Sequence, residues 1–193
     1  RGAKAEIEDW IESQPKVLTH YIIDRSGQGN YIFDTKYWEY HLGAGGKAAN
    51  KRSISIEIVA IGFVTQNAKG EWVDNYGTII PETDTTIPYK CVGPGKNDFI
   101  PMREGYKGYK RYQKYTDKQI QSLKTILTNI KKNHPEIEIK MDEDQWKDMF
   151  PPESGANPNF SKNGIYSHNT WRSDKSDIFP QLELLRMIQS FNR

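Results

Sequence analysis

Ser53-Ile54-Ser55-Ile56-Glu57-Ile58-Val59-Ala60-Ile61 alternates isoleucine with small or polar residues. Successive side chains of a strand point to opposite faces, so Ile54, Ile56 and Ile58 share one face while Ser53, Ser55, Glu57 and Val59 share the other. Both faces are expected to be covered. An ionised carboxylate here is costly if buried without a partner, which leaves Glu57 either on a wet edge or facing a cation. Upstream, Val17-Leu18-Thr19-His20-Tyr21-Ile22-Ile23-Asp24 is β-branched and aromatic, and it stops at Arg25-Ser26-Gly27-Gln28-Gly29-Asn30 before Tyr31-Ile32-Phe33. A strand, turn chemistry and a second strand predict a hairpin.

Helical signals flank these strands. Ile7, Trp10 and Ile11 repeat at helical spacing between an acidic start and Pro15. Thr116-Asp117-Lys118-Gln119 is a capping box, followed by Ile120, Leu123, Ile126, Leu127 and Ile130 until Asn133-His134-Pro135 stops the run. Pro180 is expected to open a last amphipathic helix with Leu182, Leu185, Ile188 and Phe191 inward. Two stretches, about 62–115 and 140–163, read as irregular insertions, and only Tyr76 to Ile80 of the first looks strand-like. The expected fold is one α/β domain over 1–193, a central mixed β-sheet flanked by helices.

Composition narrows the function. The 193 residues carry 27 Lys+Arg and 25 Asp+Glu, a net charge of +2, which argues against bulk polyanion binding. No run approaches the roughly 18 apolar residues of a spanning helix. The single cysteine, Cys91, excludes a disulfide within the chain. The start at Arg1-Gly2-Ala3-Lys4, without an initiator Met, reads as a fragment or processed product. From Arg103 to Lys118, Tyr106, Tyr109, Tyr112 and Tyr115 interleave with basic residues. Such a segment suits stacking on bases or sugars, or is a solvated loop packed by its own tyrosines. The acids from Asp142 to Asp148 lack the spacing of a calcium loop and read as a solvated face.

Chemistry concentrates near the C-terminus. In His168-Asn169-Thr170-Trp171-Arg172-Ser173-Asp174-Lys175-Ser176-Asp177, a polar loop returning on itself would bring an imidazole and a carboxylate together, and both are zinc ligand types. Lys175 lies two residues before Asp177, so in extended chain its ammonium shares the carboxylate's face. A His and an Asp in such a loop are otherwise simply solvated.

Several segments together resemble the zinc-dependent N-acetylmuramoyl-L-alanine amidases, the superfamily of phage lysozyme-like amidases and peptidoglycan recognition proteins. Val17 to Gly27 resembles the family's V-S-x-H-Y-x-I-D-R-D-G hairpin, and Trp38-Glu39-Tyr40-His41-Leu42-Gly43 its W-H-x-G loop with two residues added between Trp and His. Ser53 to Val59 is similar to S-I-G-I-E-L-V, with Ser55 in place of Gly. Tyr115-Thr116 and His168 followed by Lys175-Ser176-Asp177 resemble the closing Y-T and G-H…R-K-x-D-P signatures, with Ser167 for the Gly and the Pro displaced to Pro180.

The resemblance implies that His168 and Asp177 are Zn2+ ligands, Glu57 the general base and Lys175 an oxyanion stabiliser. It implies a third ligand from an apolar strand ahead of the first helix, expected upstream of Arg1, and it places His20 and His41 around the site without binding metal. The implied reaction is hydrolysis of the amide between N-acetylmuramic acid and L-alanine in peptidoglycan by zinc-activated water. It would take place at the bacterial cell wall, by a secreted, periplasmic or phage-delivered lysin. Two other readings compete: a non-catalytic muropeptide-binding module with an incomplete metal site, and a nucleic-acid binder using the Tyr/Lys segment, which the charge balance disfavours.

Overall fold

The computed structural model describes residues 18–43, 47–80, 99–140, 149–150, 163–172, 174–176 and 178–192. The helix expected around Ile7 to Ile11 and the acidic run from Asp142 to Asp148 lie outside them. Strands β1 (Tyr21–Ile23) and β2 (Gly29–Tyr31) form the antiparallel hairpin, with Tyr21 opposite Tyr31. The turn is set by Asp24, whose Oδ1 accepts from the backbone N–H of Ser26 at 2.8 Å and of Gln28 at 2.9 Å. Strand β3 (Ile56–Ile58) runs parallel to β1, pairing Ile22 with Glu57 and Ile23 with Ile58. The order β2-β1-β3 is therefore a mixed sheet, as expected for an α/β fold. A short helix α1 (Lys47–Asn50) precedes β3. The expectation that both faces of β3 are covered fails at Glu57, which is exposed, while Ile56 and Ile58 pack against the main core.

Where it is described, the first expected insertion is not irregular; residues 81–98 lie outside the described residues. Strands β4 (Phe63–Gln66), β5 (Trp72–Val73), β6 (Phe99–Tyr106) and β7 (Tyr109–Gln113) form a second sheet in the order β5-β4-β7-β6. Tyr76 to Ile80, read as a strand, contributes only an isolated bridge from Ile79 to Val73. The buried residues here include Val64, Val73 and Phe99 as well as tyrosines whose hydroxyls read as surface: Tyr106, Tyr112 and, just beyond β7, Tyr115 lie in the core. Phe179 stacks on Tyr112 at 4.8 Å and on Tyr115 at 5.3 Å, and Tyr109 stacks on Phe63 at 3.5 Å. Such pairs add about 1 kcal/mol each beyond area burial. Rings used this way are not free to stack on bases, and the solvated-loop reading of Arg103 to Lys118 is replaced by a packed hairpin.

Helix α2 (Asp117–Asn133) has the expected capping box between Thr116 and Gln119, and it buries Ile120, Leu123, Leu127 and Ile130. His134 caps its end, giving its N–H to the Ile130 carbonyl. Gln119 also locks α2 to the first sheet. Fully buried, its amide donates to the carbonyl of Val59 at 2.9 Å and accepts from Arg25 at 3.1 Å. Helix α3 (His168–Trp171) follows the second expected insertion, of which residues 141–148 and 151–162 lie outside the described residues. The last helix, α4 (Leu182–Gln189), continues into a 3-10 turn over Ser190–Asn192.

Its inward face differs from expectation. Leu184, Leu185, Met187 and Ile188 are buried, whereas Leu182 is exposed and Phe191 only partly covered. The reason is the N-cap. Gln181, not Pro180, starts the helix, and its side chain bonds both the N–H of Tyr115 (2.7 Å) and its carbonyl (3.1 Å). That anchor rotates α4 so that Leu182 points outward. No helix among the described residues is long and apolar enough to cross a membrane.

Candidate active site

Register places Glu57 beside Ile22, and two residues earlier on the same face stand Ser55 and His20. There the polar side of the first sheet becomes a buried network. Nδ1 of His20 lies 2.9 Å from Oε1 of Glu39, and Nδ1 of His41 lies 2.8 Å from its Oε2. The Ser55 hydroxyl donates to the same carboxylate. Nε2 of His20 meets the carbonyl of Tyr37 at 3.0 Å, and Nε2 of His41 meets Ser53 Oγ at 3.0 Å. These are the two histidines the family resemblance set beside the site, and both are engaged by hydrogen bonds.

Burial alone would raise the Glu39 pKa, but hydrogen bonds from His20, His41 and Ser55 outweigh it and hold the group at about 2. Its folded pKa lies below the ordinary value of 4.5, so its contribution to stability is present above that pH and is lost as pH falls through about 2. Urea midpoints measured from neutral pH down to that range are expected to fall more for the native chain than for Glu39→Gln. Equal falls would show that Glu39 contributes no acid sensitivity.

A chain of contacts links this network to α3. The carboxamide oxygen of Asn50 accepts from the N–H groups of His41 (3.2 Å) and Leu42 (3.1 Å), shaping the loop that ends at Gly43. Gly43 has φ +76°, and a Cβ there would stand 2.9 Å from Nη1 of Arg172, so the loop touches the residue that caps α3. Arg172 grips Asp174 through Nε at 2.9 Å and Nη2 at 2.6 Å, and its own N–H returns to the carbonyl of His168 at 2.9 Å. Strand β3, the Trp38 to Gly43 loop and the His168 segment thus form one neighbourhood.

His168 opens α3, half-buried, with its Nε2 shielded from solvent. Lys175 is half-buried in the loop beyond, its N–H bonded to the carbonyl of Arg172 at 3.2 Å. Asp177 lies outside the described residues. The structure does show how the loop closes: Nδ2 of Asn169 donates to the carbonyl of Ile178 at 2.6 Å and to the hydroxyl of Tyr106 at 3.1 Å. The residues that follow His168 and Asp177 are therefore joined directly. Among the described residues no three His, Cys, Asp or Glu side chains gather as a metal site. The imidazole of His168, shielded at Nε2, is nevertheless a donor type that suits zinc.

Sequence reasoning missed Glu39 and Asn169. Glu39 is separated from His41 by one residue, the spacing that lets both reach one point from an extended chain. Asn169 is nearly fully buried, but nothing in a polar loop marks one amide from another.

No curated protein and no solved structure matches this chain. A family model does: that of N-acetylmuramoyl-L-alanine amidase, over residues 2–180. The matched span runs through the hairpin, the Trp38 to Gly43 loop, Glu57 and the whole loop from His168, and on it the chain belongs to the N-acetylmuramoyl-L-alanine amidase family of peptidoglycan hydrolases.

Proposed function

We propose that the chain is a zinc-dependent hydrolase that cleaves the amide between the lactyl group of N-acetylmuramic acid and L-alanine at the bacterial cell wall. His168 and Asp177 would hold the metal, Glu57 would act as general base and Lys175 would stabilise the oxyanion. The observation that carries this reading is the bond from Asn169 to Ile178, which closes the loop between the two ligand candidates. Zinc, when bound, supplies a Lewis acid that lowers the pKa of water and polarises a carbonyl.

The protein's own groups do the rest. Glu57 stands exposed on the face of β3, in register with a fully buried Ile22, so its carboxylate is fixed at its base and open to a substrate. There it can accept a proton from attacking water and return it to the leaving amine. Lys175 adds a cation, effective on a developing negative charge where water is excluded.

Elemental analysis of the full-length protein, paired with release of L-alanine-terminated stem peptides from purified sacculi, tests the proposal. One zinc per chain is expected, with loss of both zinc and peptide release in His168→Ala. A chain without zinc that still binds muropeptides would instead be a recognition module.

A further inference from the structure

Glu39 is the one acid in the buried class among the described residues, and its two oxygens meet three side chains. A backbone carbonyl only accepts, so Nε2 of His20, 3.0 Å from the Tyr37 carbonyl, donates. Nδ1 of His20 lies 2.9 Å from Glu39 Oε1, 3.1 Å from Ser55 Oγ and 3.2 Å from the backbone N–H of Ser55. His20 is fully buried, its ring 4.6 Å from that of Phe33, and Asp34 and His41 are the other charged or titratable groups acting on this pair.

The pair holds a particular segment. Tyr37 is tied through its carbonyl, Glu39 and His41 through their side chains, and Tyr40 through a bond from Leu18 N–H to its carbonyl at 3.1 Å. Between these anchors Tyr37, Trp38 and Tyr40 point outward, with exposures of 61%, 41% and 40%. Trp38 meets Tyr40 edge-on at 5.1 Å, and the ammonium of Lys51 lies 5.3 Å from the Trp38 ring. An apolar staple could hold such a loop as strongly, but a carboxylate with three directed donors fixes its angle as well as its depth.

We propose that Glu39 is a positioning residue: its buried carboxylate, held by His41, Ser55 and the contact with His20, locks the Tyr37 to His41 segment against β1 and β3, so that an aromatic wall stands at a fixed place beside Glu57. The effect on turnover rests on the hydrolase reading above; the hold on the loop does not. Glu39 is shielded from solvent, so it acts on substrate only through the loop.

Two measurements test this. In limited proteolysis near neutral pH, cleavage within Tyr37 to His41 is expected to be about tenfold faster in Glu39→Gln than in the native protein, and equal rates would overturn the hold on the loop whether or not the protein is a hydrolase. Glu39→Gln is expected to raise KM for soluble muropeptides about tenfold and to change kcat by less than about threefold, since a displaced wall weakens binding more than chemistry. An unchanged KM, or a loss confined to kcat, would overturn the positioning role. If Glu39→Gln does not fold, Ser55→Ala removes one donor from the same carboxylate and is expected to raise KM about threefold, with the same reading of its outcomes. If the native protein shows no turnover, the hydrolase reading fails, and the affinity of the same variants for sacculi carries the test.

Discussion

Glu57→Gln should lower kcat about a hundred- to ten-thousandfold, the range that a positioned general base contributes, while leaving the fold and any bound zinc in place. The substitution keeps volume and hydrogen-bonding length but removes the capacity to take a proton. Glu57 is exposed on β3, so no core packing changes, and the stability of the variant should stay within about 0.5 kcal/mol of the native chain. Comparable turnover in the variant would remove Glu57 from the mechanism. A large drop in stability would show that the carboxylate serves the fold instead. Measuring kcat beside Glu39→Gln separates the two acids, because one is expected to act on the chemical step and the other on binding.

Gly27→Ala should destabilise the protein by about 3 kcal/mol, lowering its melting temperature by roughly 10 °C. Gly27 closes the turn between β1 and β2 with φ +86°, where any side chain is strained. It also lies against the first turn of α2: a Cβ there would stand 2.5 Å from Lys118 Cβ and 2.8 Å from the Lys118 carbonyl oxygen. Backbone cannot swing aside as a lysine tip would, so either the hairpin or α2 must move. Gly70→Ala is the control. Its φ is +79° and nothing lies within 4 Å of the added carbon, so only the conformational cost of about 1 kcal/mol is expected. Equal losses at the two positions would show that the contact with α2 contributes nothing.

Much of the first sheet and the long helix was legible because each has local punctuation. Asp24, Gly27 and Gly29 write a turn, alternation at Ile54 to Ile58 writes a strand, and Thr116 with Gln119 writes a helix start. The second sheet was not legible, because its inward residues include Tyr106 and Tyr112, whose hydroxyls read as surface and find partners once the hairpin and the loop after His168 are in place. Tyr112 donates to the carbonyl of Tyr106, and Tyr106 accepts from Asn169 across 63 positions of sequence. Leu182 misled for the same reason: the rotation of α4 is set by Gln181 gripping Tyr115, a partner 66 positions away. At the site, residue types that bind metal can be read singly. The buried carboxylate between His20 and His41 exists only once β1, β3 and the intervening loop are side by side.

The grip of Gln181 on both backbone polar groups of Tyr115 bears on biogenesis. Tyr115 stands just before the helix that clamps the hairpin, yet its amide and carbonyl find these partners only after a ribosome has translated past position 181. Such distant pairing closes late, because the loop entropy must be spent before the contact returns anything. In a nascent chain the start of α2 would therefore lack this tie to α4 until position 181 has emerged, and the packing of the two helices would come after the hairpin and α2 have formed.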